Sequence, residues 1–257
     1  MAHSLLSCTV FSIVDPCPNL RRITLFSPQF IGYQLTGPDE YFGLVMPQQG
    51  QRFVPFECSD INIRAAVARL PEETRPNLRW YTVRKLDPEQ GLLSFDVVLH
   101  AAGPGSSWVS TAQPGDTCGF WTAQSLWQPT SAPQVLVADA TGTPALLSIL
   151  DRLPSPALAR CSVAVCTPSL LDVELSALTS YAPQLAHCAI TETPPSSAPT
   201  TMENTLSSWH LNGTKKLWAS GEDRLVKAAR RYGIHHLGIP ACDITFVPFW
   251  YEGKPRP

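Results

Sequence analysis

The sequence predicts an antiparallel β-barrel domain followed by a doubly wound α/β domain on a parallel sheet, and three observations carry that expectation. Up to about Trp127, short alternating segments are separated by turn signals, the pattern of an antiparallel sandwich or barrel. After Pro129-Thr130-Ser131-Ala132-Pro133 the rhythm becomes strand, helix, strand. A chain of 257 residues that is 44% hydrophobic can build two cores, and we divide it into residues 1–128 and 129–257.

In the first half, strands are predicted over 22–26, 41–46, 80–83 and 92–99, with turns at Gly37-Pro38-Asp39, Asp87-Pro88-Glu89 and Pro114-Gly115-Asp116. Residues 61–70 read equally as strand or helix. In the second half, the apolar run 135–138 is a strand, and Asp139-Ala140-Thr141-Gly142-Thr143 turns into a helix. Pro144 suits a first helical position and Thr143 is placed to cap it. Leu146, Ile149, Leu150 and Leu153 form one apolar stripe, and Pro154 ends it. The strand 161–166 completes a right-handed βαβ unit. A second such unit runs through strand 216–219 and a helix over 223–232, acidic at its start and basic near its end. Gly233 is expected to stop that helix, His235-His236 to lie in a solvated loop, and 243–249 to be the last strand. Residues 193–201, rich in Pro, Ser and Thr, read as a flexible surface loop.

Composition excludes several classes. Net charge is −2, so no basic field points to nucleic acid or an anionic membrane. The apolar runs are too short to span a bilayer, so no membrane insertion is expected. Ser4, Ser7, Thr9 and Ser12 interrupt the N-terminus, which lacks a secretory pattern, so a cytoplasmic protein, as a monomer, is expected. Eight cysteines are scattered with no CxxC pair, which favours buried thiols over disulfides and gives no spacing for a zinc or other metal site. Neither a Gly-x-Ser-x-Gly elbow nor a His-Glu-x-x-His helix occurs, so a side-chain nucleophile is not indicated.

The most informative segment is Arg79-Trp80-Tyr81-Thr82-Val83-Arg84. On a strand, Arg79 and Tyr81 share a face because side chains alternate with period two. A cation beside a phenol can hold a phosphate while the ring lies on a flat aromatic ligand, with Thr82 offering a hydroxyl at that ligand's polar edge. By residue type alone the same segment is also an ordinary strand. A barrel followed by an α/β domain is, in turn, the division of labour seen in flavin reductases.

At this point the chain resembles the siderophore-interacting protein family, FAD-binding ferric-siderophore reductases of the ferredoxin-reductase superfamily. The resemblance covers nearly the whole chain and rests on ordered blocks. These are 79–84, the strand Asp96-Val97-Val98-Leu99-His100, the segment Gly103-Pro104-Gly105-Ser106-Ser107-Trp108, and the turn Pro114-Gly115-Asp116. Trp218-Ala219-Ser220-Gly221-Glu222 and Phe249-Trp250-Tyr251-Glu252-Gly253 complete the set. It implies that Arg79 pairs with the FAD pyrophosphate, Tyr81 packs on the isoalloxazine and Thr82 bonds near N5. Val98 and His100 would offer backbone groups. Gly103, Ser106 and Ser107 would bind phosphate at a helix N-terminus. Trp108 is either a cofactor contact or a core aromatic. On the α/β side it implies Asp139, Thr141, Gly142, Thr143, Gly221, Glu222 and Trp250 as further cofactor-binding residues.

Two departures stand out. The family's Gly-Asp-Glu-Thr turn reads Ala138-Asp139-Ala140-Thr141 here, which leaves the donor open between NADH, NADPH and ferredoxin. Tyr251 stands where the family has Arg. The implied activity is reduction of Fe(III) in a ferric siderophore to release Fe(II). Arg52, Arg84 and Lys85 are the candidate cations that would attract an anionic substrate. The alternatives are a related flavoprotein reductase with a protein or flavin acceptor, and a non-catalytic siderophore-binding flavoprotein.

Overall fold

A computed structural model describes residues 3–58, 62–99 and 104–253, with the backbone alone for Pro104. The N-terminal unit, Met1–Ser125, contains β1 (Leu5–Cys17), β2 (Leu20–Phe26), β3 (Tyr41–Met46) and helix α1 (Ile63–Ala68). It continues with β4 (Asn77–Asp87), β5 (Leu92–Val98), α2 (Pro104–Thr111) and β6 (Thr117–Trp121). The strands close a barrel in the order β1-β2-β5-β4-β3-β6, and pairing of β1 with β6 completes the ring. Alternation explains the wall: Leu6, Cys8 and Val10 of β1 are buried, as are Ile23 and Leu25 of β2. In the core, Phe42 stacks on Phe120 with centroids 4.4 Å apart and meets Phe95 edge-on at 5.2 Å. Arg22 and Asp96, opposite each other in register, form a two-pronged ion pair at 2.6 and 2.7 Å. The ambiguous segment 61–70 holds a helix, because the Asn62 side chain accepts from Ala65 N–H as an N-cap and Ile63 and Val67 face inward.

The C-terminal unit, Leu126–Pro257, is a five-stranded parallel sheet. Its elements are β7 (Gln134–Asp139), α3 (Thr143–Arg152), α4 (Ser155–Leu158), β8 (Cys161–Thr167) and α5 (Leu175–Tyr181). There follow β9 (His187–Glu192), α6 (Ala198–Ser207), β10 (Lys216–Glu222), α7 (Asp223–His235) and β11 (Ile244–Trp250). The order β11-β10-β7-β8-β9 reverses between β7 and β10, which places the topological switch point at their carboxyl ends. Residues 135–138 are all fully buried, as expected of a central parallel strand covered on both faces. Among the described residues no helix is long and apolar enough to cross a membrane.

Several local expectations are corrected. Gly233 does not end α7, which continues to His235. A Cβ at Gly233 would come within 3.0 Å of Ile244 and 3.2 Å of Leu217, so the glycine admits the sheet rather than breaking the helix. His235 closes α7 and His236 lies in the turn after it; both are exposed as expected, and the His236 ring stacks on Tyr232 at 4.8 Å. Thr193–Thr201 is not all loop, since α6 starts inside it and buries Ala198, Met202 and Leu206 on one face. Thr143 does not cap α3. It lies within the helix with its hydroxyl on the Ala140 carbonyl at 2.8 Å, and Asp139 caps the preceding 3-10 turn instead.

Candidate functional site

In the barrel, the site is built by β4 and α2. Gly105 in the first turn of α2 lies against the face of β4 that carries Arg79 and Tyr81. A Cβ there would fall 2.5 Å from the Tyr81 hydroxyl and 3.3 Å from Arg79 Cγ. Only a glycine admits this approach without movement. The shared face expected for Arg79 and Tyr81 is therefore present. The residue sequence reasoning overlooked is Gly105, although the Gly-Pro-Gly signal contained it. Gly105 and Ser106 bring backbone N–H groups that have no intrahelical acceptor, next to an exposed guanidinium. Arg79 donates to its neighbour's carbonyl, Leu78, at 2.7 Å and has no carboxylate partner among the described residues. Cation and helix N-terminus together favour an anion such as a phosphate.

Tyr81 is half-buried, its ring against Phe95 at 5.2 Å and Phe42 at 6.4 Å. Burial pushes its phenol up to about 12, partly offset by the Arg79 charge, so it stays neutral and able to donate a hydrogen bond. Thr82 is 4% exposed, and its hydroxyl has no hydrogen-bond partner among the described residues. A buried unsatisfied hydroxyl costs about 1–3 kcal/mol, a debt that a ligand acceptor would relieve. A buried hydroxyl without a partner among the described residues, a neutral phenol, an exposed cation and a glycine-lined helix start fit a flavin dinucleotide.

The remaining barrel residues divide. Val98 ends β5 opposite Leu20, and Ser106 and Ser107 lie in the first turn of α2. Trp108 is half-buried against the barrel core, as a core aromatic would be. His100 and Gly103 lie outside the described residues. Of the three candidate substrate cations, Arg52 and Lys85 are exposed. Arg84 is 8% exposed, at the irregularity between Val83 and Lys85 where β4 bulges against β5.

At the switch point, Asp139 draws together most of the residues expected there. Its Oδ1 accepts from Thr141 N–H (2.8 Å), Thr141 Oγ1 (2.6 Å) and Gly142 N–H (3.1 Å). Its Oδ2 accepts from Glu222 N–H and from Trp250 Nε1, both at 2.7 Å. Gly221, at φ 141°, leaves room for this carboxylate where any Cβ would collide with it. Gly142 does not open toward a ligand, because the space a Cβ would need is filled by the Ser220 carbonyl. Glu222 is 3% exposed and caps α7 through Arg224 and Leu225 N–H. Burial pushes the Asp139 carboxyl up, and the hydrogen bonds from Thr141, Trp250, Gly142 and Glu222 pull it back toward the anion. The N–H groups expected to receive a dinucleotide phosphate are thus already bound to a carboxylate of the chain itself.

A closed six-stranded barrel with an Arg-x-Tyr-Thr strand under a helix N-terminus, joined to a doubly wound parallel sheet, defines a flavoprotein of the ferredoxin-reductase-like fold. Residues 9–124 match the siderophore-interacting FAD-binding domain and residues 131–253 the siderophore-interacting protein domain. The chain belongs to the siderophore-interacting protein family. Ferric vibriobactin reductase ViuB of Vibrio cholerae is 25% identical over 242 residues, 92% of this chain and 85% of that protein. Mycobactin import ATP-binding/permease protein IrtA of Mycolicibacterium smegmatis is 24% identical over 96% of this chain, which spans 26% of IrtA's length. The crystal structure of siderophore-interacting protein SipS from Aeromonas hydrophila superposes with a TM-score of 0.74 at 25% identity, covering 99% of this chain and 94% of that one.

Proposed function

We propose that this chain is an FAD-dependent reductase of ferric siderophores, converting Fe(III) to Fe(II) so that the chelator releases the metal. The observation that carries this reading is the meeting of Arg79, Tyr81 and Gly105, with the orphaned Thr82 hydroxyl at the next position of the same strand, in a chain of this family. Arg79 and the first turn of α2 would hold the pyrophosphate, Tyr81 would flank the ring system and Thr82 would bond its polar edge. Bound FAD supplies the redox chemistry, accepting electrons as a pair and delivering them singly to iron. The side chains bind and orient; none is needed as nucleophile or general base. Exposed Arg52 and Lys85 add positive potential for an anionic ferric siderophore.

The donor is a second question on which one observation bears. Because Asp139 fills the turn after β7, a donor that reaches the flavin without a phosphate anchored there is favoured, which places ferredoxin or another protein ahead of NADH and NADPH. An anaerobic titration tests both parts. Purified protein should be yellow, be bleached by a competent donor, and regain its colour on addition of ferric siderophore. Protein that neither carries nor takes up FAD refutes the flavin assignment. A reduced flavin that ferric siderophore fails to reoxidise refutes the substrate assignment. Rapid bleaching by NADPH with no bleaching by reduced ferredoxin reverses the donor order.

A further inference from the structure

Helix α2 is poorly equipped to hold its own position. Its eight residues, Pro-Gly-Ser-Ser-Trp-Val-Ser-Thr, are mostly weak helix formers, and a helix this short is unstable without tertiary support. The Ser110 and Thr111 hydroxyls bond back to the Ser106 and Ser107 carbonyls, which loosens rather than stiffens a helix. It has no basic residue in its last turn to answer the negative end of its dipole. That charge comes from elsewhere in the barrel. Arg21, on β2 opposite Val97 of β5, donates from Nη1 to the carbonyls of Val109 (3.1 Å) and Ser110 (3.3 Å). The other edge of the same guanidinium is fixed by Asp15 of β1, through Nε at 2.8 Å and Nη2 at 3.1 Å. One planar cation therefore ties the C-terminus of α2 to two strands, and Asp15 sets its plane.

We propose that Arg21, braced by Asp15, is a positioning residue for the pyrophosphate end of FAD. By clamping the last turn of α2 it holds the first turn in register with Arg79. Arg21 itself lies at the far end of the helix and touches no phosphate. The proposal rests on the placement of FAD given above. It predicts an effect confined to the dinucleotide part, because riboflavin carries the ring system without the phosphates.

The test is titration of deflavinated protein with FAD and with riboflavin, followed by flavin fluorescence. Arg21→Ala should raise the Kd for FAD roughly five- to twentyfold and leave that for riboflavin within about twofold. Arg21→Lys should recover part of the loss, since it keeps the charge without the fork. Amide hydrogen exchange over α2 should quicken in Arg21→Ala. Should Arg21→Ala fail to fold, Asp15→Asn decides: its carboxylate is 46% exposed, and freeing the fork should weaken FAD selectively by about two- to fivefold. FAD affinity unchanged in these variants, or FAD and riboflavin weakened equally, overturns the clamp. A wild-type protein that binds FAD no more tightly than riboflavin overturns the pyrophosphate placement itself, and that result is visible before any variant is made.

Discussion

Replacing Asp139 by Asn tests the switch-point network with almost no change of shape. The amide puts an N–H₂ group where one carboxylate oxygen was. Placed at the Oδ2 position it faces the Glu222 N–H and the Trp250 indole N–H, donor against donor; flipped, it faces three donors from Thr141 and Gly142. At least two buried donors lose their acceptor, at about 1–3 kcal/mol each. The variant gains by no longer burying a charge, so the expected net loss is about 2–4 kcal/mol. For a unit of this size that lowers Tm by roughly 6–16 °C. Differential scanning calorimetry of the full chain, with near-UV circular dichroism to follow the tryptophans, reads the α/β transition. If Asp139→Asn is as stable as wild type within about 0.5 kcal/mol, the side chain is carried as the neutral acid. The claim that an anion fills the phosphate turn then fails.

Three further outcomes are expected. Arg79→Ala should raise the Kd for FAD about ten- to a hundredfold through loss of charge-assisted bonds to phosphate. Lys85→Ala should leave it within about twofold, so equal effects would argue against the phosphate assignment. Gly105→Ala should cost about 1–3 kcal/mol or displace α2, because its methyl would meet the Tyr81 hydroxyl at 2.5 Å; denaturant unfolding with FAD titration reads both effects. The Tyr81 phenol, lifted from 10.0 to about 12, stabilises the fold fully below the unfolded value. That contribution is lost as pH rises through the folded value, so alkaline unfolding of apoprotein should be less steep in Tyr81→Phe; an unchanged profile would refute the burial argument.

The chain order of barrel and α/β unit was legible because both halves obey local periodicity. Residues 41–46 form a strand with the bounds read from alternation, and 135–138 form a central one because nothing polar interrupts them. β1 was missed because Ser7, Thr9, Ser12 and Asp15 obscure the inward series Leu6, Cys8 and Val10, whose meaning comes from partners on β2 and β6. The stripe Ala198, Met202 and Leu206 was a signal present in the sequence but hidden behind its Pro-Ser-Thr neighbours. On the flavin side, Arg79 and Tyr81 could be paired from spacing alone. Arg21 could not, because its importance depends on a helix that lies 88 residues away in the chain. At the switch point the residue types were anticipated but their use was not. Sequence shows which groups a turn contains, whereas only packing shows that a carboxylate has already taken its N–H groups.

The Asp139 carboxylate also sets an order of events in biosynthesis. Two of its five donors come from residues 83 and 111 positions further along the chain. Until Trp250 has been synthesised, a carboxyl group destined for burial lacks one of its hydrogen-bond donors at the end of β7. Every contact that closes the barrel comes instead from the first 125 residues. The flavin-binding half can therefore complete its fold while the α/β half is still waiting for its last strand, and newly made protein should acquire FAD before its C-terminal unit resists proteolysis.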